Sequence, residues 1–153
     1  MSMFGAIDAA ASGMTAERLR MDVISNNIAN VNTTRTAAGG AYRRQVVVFE
    51  PRAAESGAFA QMLAGSMKKR TDGQGSAGEG VRAVSIQDDP TPGRMVYDPG
   101  HPDANANGYV ELPNLNIVTE MVDMITASRA YEANVTSVNA AKSMAMKALD
   151  IGK

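Results

Sequence analysis

The sequence predicts a mainly α fold with a small β part. Helices lie at the two ends of the chain, each with one apolar stripe that suits a partner helix, and a small β-containing region with long loops lies between them. Three observations predict this. Apolar residues recur in threes and fours over residues 3–32, and again over residues 116–150. Aromatics make up only 5% with no Trp, while Ala is abundant and Met numbers 11, a composition suited to closely approaching helices rather than a ring-filled core. The stretch between the two zones is instead rich in Gly, Pro and β-branched residues. At 153 residues there is room for one compact domain, or a small one with long extensions.

The first zone steps through Phe4, Ile7, Ala11 and Met14, then Met21, Ile24, Ile28 and Val31, with only Arg18 standing where an apolar residue is due. This near-heptad spacing suits one partner helix along one seam. Gly5 and Gly13 each lower helix propensity by about 1 kcal/mol relative to Ala. Alone, this helix would be marginal. In the last zone the seam reads Val118, Met121, Ile125, Ser128, Tyr131, Val135, Val138, Ala141, Ala145 and Leu149, so Ile125 is expected in the buried seam. Pro113 sits just ahead, Asn114 or Asn116 can cap the first turn, and Gly152 lies where a C-terminal cap belongs.

In the middle region, residues 42–50 (YRRQVVVFE) and 81–87 (VRAVSIQ) read as strands. Residues 94–97 follow Pro92-Gly93, so they are expected to form a hairpin with 81–87. Residues 53–67 could make a short Ala/Met helix, 68–80 read as a flexible Gly-rich loop, and 98–108 (DPGHPDANANG) as a turn-dense loop.

Charge and motifs exclude several functions. Fifteen basic and 16 acidic residues leave a formal charge of -1, without the basic excess of a nucleic-acid binder. With no Cys there is no disulfide framework, thiolate nucleophile or Cys-ligated metal site. No apolar run approaches the roughly 20 residues that span a bilayer, and the start, MSMFG, is not that of a secretory signal peptide. Gly73, Gly75 and Gly78 spell G-x-G-x-x-G, but they lack the preceding buried strand and following helix that a dinucleotide turn needs. His101, the only histidine, has Asp98 and Asp103 near it in sequence but no convergent set of partners. Asp88 and Asp89, as neighbours on a strand, point to opposite faces. Lys68-Lys69-Arg70 has no interleaved aromatic residue and reads as a solvated loop. Nothing in the chain reads as an active site, and no cofactor or metal is expected.

What stands out is SNNIANVNT, residues 25–33, with four Asn at the end of an apolar heptad. Asn is a poor helix former. Two readings are evenly matched: a fraying helix end whose amides satisfy the last carbonyls, or a recognition surface whose amides bridge neighbouring helices. SNNIANVNT after an amphipathic helix resembles the signature of bacterial flagellar axial proteins, the rod, hook and hook-associated subunits. The C-terminal stretch 108–153 (GYVELPNLNIVTEMVDMITASRAYEANVTSVNAAKSMAMKALDIGK), with YRRQ at 42–45 and DPGHPDA at 98–104, resembles the proximal-rod subunit of the C type. Residues 53–80 look longer and more Gly-rich than that family pattern requires.

The resemblance implies that the N- and C-terminal helices, residues 1–34 and 112–153, pair as an antiparallel coiled-coil core, with the middle region, 35–111, forming a small outer part. It implies a structural subunit of the basal body that polymerises helically into the rod and lines its axial export channel. Its implied partners are copies of itself and other rod proteins, the MS-ring and export-gate base, and the flagellar type III export apparatus, with no nucleic acid or small-molecule substrate. Export without a cleaved signal peptide fits that route. Subunit packing is expected at Ile7, Met14, Met21, Ile24, Asn26, Asn27, Ile28, Asn30 and Asn32, and at Val118, Met121, Ile125, Tyr131, Val135 and Val138. The alternative class is a soluble helical adaptor or export chaperone, which paired amphipathic helices would also serve.

Overall fold

A computed structural model describes residues 3–37, 39–52 and 80–151. Helix α1 spans Met3–Ala29 and helix α2 spans Ile117–Ile151, with strands β1 (Gln45–Pro51), β2 (Val81–Asp88), β3 (Arg94–Tyr97) and β4 (Tyr109–Leu112) between them. The expected helix over 53–67, nearly all of the 68–80 loop with its glycine motif, and the cap at Gly152 lie outside the described residues.

The two long helices pack against each other and form the main body, as the end-to-end apolar periodicity predicts. At 1.5 Å rise per residue, the 35 residues of α2 run about 52 Å and the 27 of α1 about 40 Å. Helix α2 starts where Asn116 caps it: the Asn116 Oδ1 accepts from the Val118 N–H at 3.0 Å, while its carbonyl accepts the Glu120 N–H. Helix α1 ends on its own asparagines, where the Asn30 amide donates to the Asn26 carbonyl at 2.9 Å and Asn30 Oδ1 accepts from the Thr33 hydroxyl.

The strand pairing differs from the expected one. β2 pairs antiparallel with β1, with a bulge at Val48/Phe49, and β3 pairs antiparallel with β4. The hairpin expected between residues 81–87 and 94–97 is absent, and β4 was not among the expected strands. Gly93 explains part of the difference. It is not a turn centre but a point of close approach, because a Cβ there would run into the Leu112 carbonyl of the β4 strand. Before it, Asp89 closes a turn of its own, accepting from both the N–H and the hydroxyl of Thr91. Those bonds, the hydroxyl first, hold the Asp89 carboxyl below the usual carboxylate range.

The loop between β3 and β4 is ordered by its Asn and Asp residues, as its turn-dense composition predicts. Asn105 Oδ1 accepts from the Asn107 and Tyr109 N–H groups, and Gly108 turns the chain at φ +78° beneath the Tyr97 ring. Tyr97 and Tyr109 then meet edge to face, with centroids 5.2 Å apart.

The first strand also begins later than expected, at Gln45 rather than Tyr42. Residues 42–44 are held instead by the helices and by the segment just ahead of α2. The Arg44 N–H donates to Asn114 Oδ1 at 3.0 Å, and the Tyr42 hydroxyl donates to Asn27 Oδ1 at 3.0 Å. β2 docks on the other half of α1, where the Val81 N–H donates to the Ser12 hydroxyl at 3.0 Å.

Candidate functional site in the helix pair

Two contacts define how the helices lie. A Cβ added at Gly13 would stand 2.8 Å from Asn134 Nδ2, and Asn27 Nδ2 donates to Glu120 Oε2 at 3.1 Å. Asn27 lies two heptads after Gly13, and Glu120 two heptads before Asn134, so both contacts belong to one antiparallel register. The inward residues of α2 follow as Glu120, Met124, Ala127, Tyr131, Asn134, Val138 and Ala141, alternating fours and threes. Glu120, Ala127 and Ala141 are buried and the other four half-buried. In this register Ala16 of α1 lies opposite Tyr131, Ala9 opposite Val138 and Gly13 opposite Asn134. Ala9 and Ala16 thus face larger side chains, and Gly13, with no side chain of its own, leaves the room that the Asn134 amide fills.

At the SNNIANVNT end the seam is polar. Asn27 is 1% exposed and uses all four of its hydrogen-bonding positions. Its Nδ2 donates to Glu120 Oε2 and to the Gln45 carbonyl at 2.9 Å, and its Oδ1 accepts from the Tyr42 hydroxyl and from the Gln45 N–H at 3.0 Å. The double contact with the Gln45 main chain copies the way a neighbouring strand would pair, so Asn27 fixes the start of β1. Glu120, equally buried, is paired with Arg44, whose Nε donates to Oε1 at 2.6 Å while Nη2 reaches Asp123 at 3.3 Å. Burial, reinforced by the charges of Asp88 and Glu120, raises the Tyr42 hydroxyl above its ordinary 10.0. One network therefore ties α1, the strand entry and α2 together. Asn30 closes the helix end, as the first reading of the motif has it, and Asn27 bridges to the other helix of the same chain.

The outer face of α2 is the reverse. Val118, Met121, Val122 and Ile125 form an apolar stripe over two turns, each more than half exposed. The seam expected through Val118, Met121 and Ile125 is thus corrected, because α2 is rotated so that Glu120 and Ala127, not these residues, meet α1. Phe4, also expected in the seam, is exposed at 76%. The register makes α2 run about two turns past the start of α1, and there Met144, Met146 and Leu149 are exposed as well. At the opposite end an open groove of about 640 Å³, bordered by Val31, Leu112, Leu115 and Ile117, continues into the stripe at Val118.

Of the other positions singled out, Ile24 and Asn27 are buried, while Ile7, Met14, Met21, Ile28, Asn30, Tyr131, Val135 and Val138 are half-buried, and Asn26 and Asn32 are exposed. Sequence reasoning missed Val23, Glu120, Arg44 and Tyr42. The one signal for them was the YRRQ segment, two of whose residues complete the network. His101 accepts the Asp103 N–H on Nδ1 within its own turn, and Asp103 accepts from the Thr34 hydroxyl at 2.7 Å. Together they fasten the 98–108 loop to the end of α1. Among the described residues no group of three His, Cys, Asp or Glu could hold a metal ion, and no helix is long and apolar enough to cross a membrane.

Comparison with known proteins matches these same elements. Residues 7–45 match the family described as flagella basal body rod protein, and residues 106–151 match the flagellar basal body rod FlgEFG protein C-terminal family. The chain is 50% identical to the flagellar basal-body rod protein FlgC of Borreliella burgdorferi, over 99% of this chain and 98% of that one. It is 44% identical to FlgC of Bacillus subtilis and 35% identical to FlgC of Salmonella typhimurium, each over the full length of both chains. With both ends of the helix pair, the asparagine motif and the middle region all included in those matches, the chain belongs to the FlgC family of flagellar basal-body rod proteins.

Proposed function

We propose that this chain, a structural subunit of the flagellar basal-body rod, polymerises helically through the outer face of α2. In doing so it builds part of the drive shaft and lines its axial export channel. The observation that carries this reading is the stripe of Val118, Met121, Val122 and Ile125, left exposed although the chain buries polar residues on the opposite side of the same helix. Contiguous exposed apolar surface marks an interaction site. Here the occupants are neighbouring copies and other rod proteins. Contacts with the MS-ring and export-gate base, and passage through the type III apparatus, belong to the same reading and rest on the family.

Ile125→Asp tests it. The side chain is 54% exposed, so the soluble subunit should keep its stability within the ±0.5 kcal/mol usual for surface changes. In a polymer the same change buries an unpaired carboxylate at every subunit contact, at a cost of several kcal/mol each. The expected outcome is a non-motile strain whose basal bodies lack a complete rod by electron microscopy, with normal protein levels. Glu132→Ala, further along the exposed surface, should swim normally. If the Ile125→Asp strain assembles complete rods, the stripe is not a subunit contact.

A further inference from the structure

We infer that Asn27 and Glu120, with Gly13 and Asn134 two heptads away, choose the register of the helix pair. The apolar seam does not choose it. On α1 the inward positions of the N-terminal half are Ala9, Gly13 and Ala16, which offer almost no relief for a partner to read. Sliding α2 by one heptad toward the α1 N-terminus would set Met124 against Ala16, Ala127 against Gly13 and Tyr131 against Ala9. Met124 and Tyr131 would meet alanines, and Val23, now opposite Met124, would meet Ile117 instead. Glu120 would land opposite Arg20 and so would still face a cation. Burial and charge pairing leave the slipped arrangement open.

The polar network closes it. In the slipped register Asn27 would face Pro113, ahead of α2, which has no side chain able to accept its second N–H. Arg44 would lose the Glu120 and Asp123 carboxylates it now spans. Sliding the other way sets Val23 against Tyr131 and Asn27 against the Ala127 methyl, burying the amide without its Glu120 partner. A single polar residue in an apolar seam is a known device for fixing register at some cost in stability. Asn27 also acts beyond the seam, because its double contact with the Gln45 main chain passes the chosen register to the sheet. The register belongs to the isolated chain and so stands apart from the rod reading.

The test uses the absence of cysteine. Spin labels at Asp22→Cys and Lys147→Cys, both exposed, report the axial offset of the helices by pulsed electron paramagnetic resonance. One heptad of slip changes their separation by about 10 Å. The parent chain should show one distance. Asn27→Leu with Glu120→Leu should keep its helical circular dichroism and show a second population displaced by about 10 Å, in roughly a tenth of molecules or more. A single unchanged distance in that variant overturns the inference. If the double variant loses its helical signal, Asn27→Ala is read in the same way. Loss of helix in both, with no displaced population, would reduce the network to a stabilising element and equally overturn it.

Discussion

The two faces of α2 are built on opposite rules. The inner face, which packs on α1, carries small or polar residues in heptad steps, Glu120, Ala127, Asn134 and Ala141, with the half-buried Met124, Tyr131 and Val138 between them. The outer face, toward solvent in the single chain, carries Val118, Met121, Val122 and Ile125. In a subunit that stays alone, the larger apolar residues would occupy the inner face, because burying them is what drives pairing. The inversion leaves the outer apolar residues for the subunit contacts proposed above, while tight packing at Gly13 and hydrogen bonding mark the contact within one chain.

The largest expected effect on the fold therefore comes from a charged residue. Glu120→Ala leaves the part-buried Arg44 guanidinium without its closest carboxylate and takes from the buried Asn27 amide one of its two acceptors. Breaking a buried pair from one side costs about 3–5 kcal/mol. Set against total stabilities of about 5–15 kcal/mol, that would unfold a substantial part of the population. Urea denaturation of the soluble subunit measures it, with Ile125→Asp as the contrast. If the substitution on the outer face proves the more damaging of the two to the isolated chain, the assignment of faces is inverted.

How much of this was legible in the sequence follows from the same contrast. Periodicity located both helices, and the Asn116 cap and the strand character of 45–51 and 81–88 were readable because they depend on local chemistry. The rotation of α2 was not. A search for apolar periodicity selects Val118, Met121 and Ile125, whereas the true seam passes through Glu120 and Asn134, which no hydrophobic scale would choose. The asparagine motif was visible as unusual, yet its partners lie in YRRQ and at Glu120, close in space only after the helices pair. Strand pairing failed for a related reason. Pro92-Gly93 looks like a turn, but the glycine is needed for the Leu112 carbonyl of a strand far along the chain.

A middle-sized effect sharpens the view of close approach. Gly13→Ala would gain about 1 kcal/mol of helix propensity in an isolated helix. In the pair its Cβ would stand 2.8 Å from Asn134 Nδ2, and crowding of that kind costs about 1–3 kcal/mol unless the side chain moves. The net expectation is a modest loss, up to about 2 kcal/mol. Combining it with Asn134→Ala removes the obstacle and should restore or exceed the parent's melting temperature. Were Gly13→Ala alone stabilising, the helices would not approach as closely as the seam requires.

The smallest effect is a matter of pH. The folded chain raises the Tyr42 hydroxyl above 10.0, first by burial and then through the Asp88 and Glu120 charges. The folded state thus holds the proton more tightly than the unfolded state does. The resulting stability is fully present below about pH 10 and is lost as pH rises through the folded value, where ionisation would also take away the hydrogen bond to Asn27 Oδ1. Tyr42→Phe removes the hydroxyl at all pH values. Near neutrality it should cost about 1 kcal/mol, the usual worth of one hydrogen bond, because Asn27 Oδ1 keeps the Gln45 N–H. Above about pH 10 the gap between parent and variant should narrow. Chemical denaturation at about pH 7, 9 and 10.5, bracketing the ordinary tyrosine value, reads the difference directly. A gap that stays constant would mean that the Tyr42 proton is not coupled to the network joining the two helices, leaving Asn27 and Glu120 to hold the inner face without it.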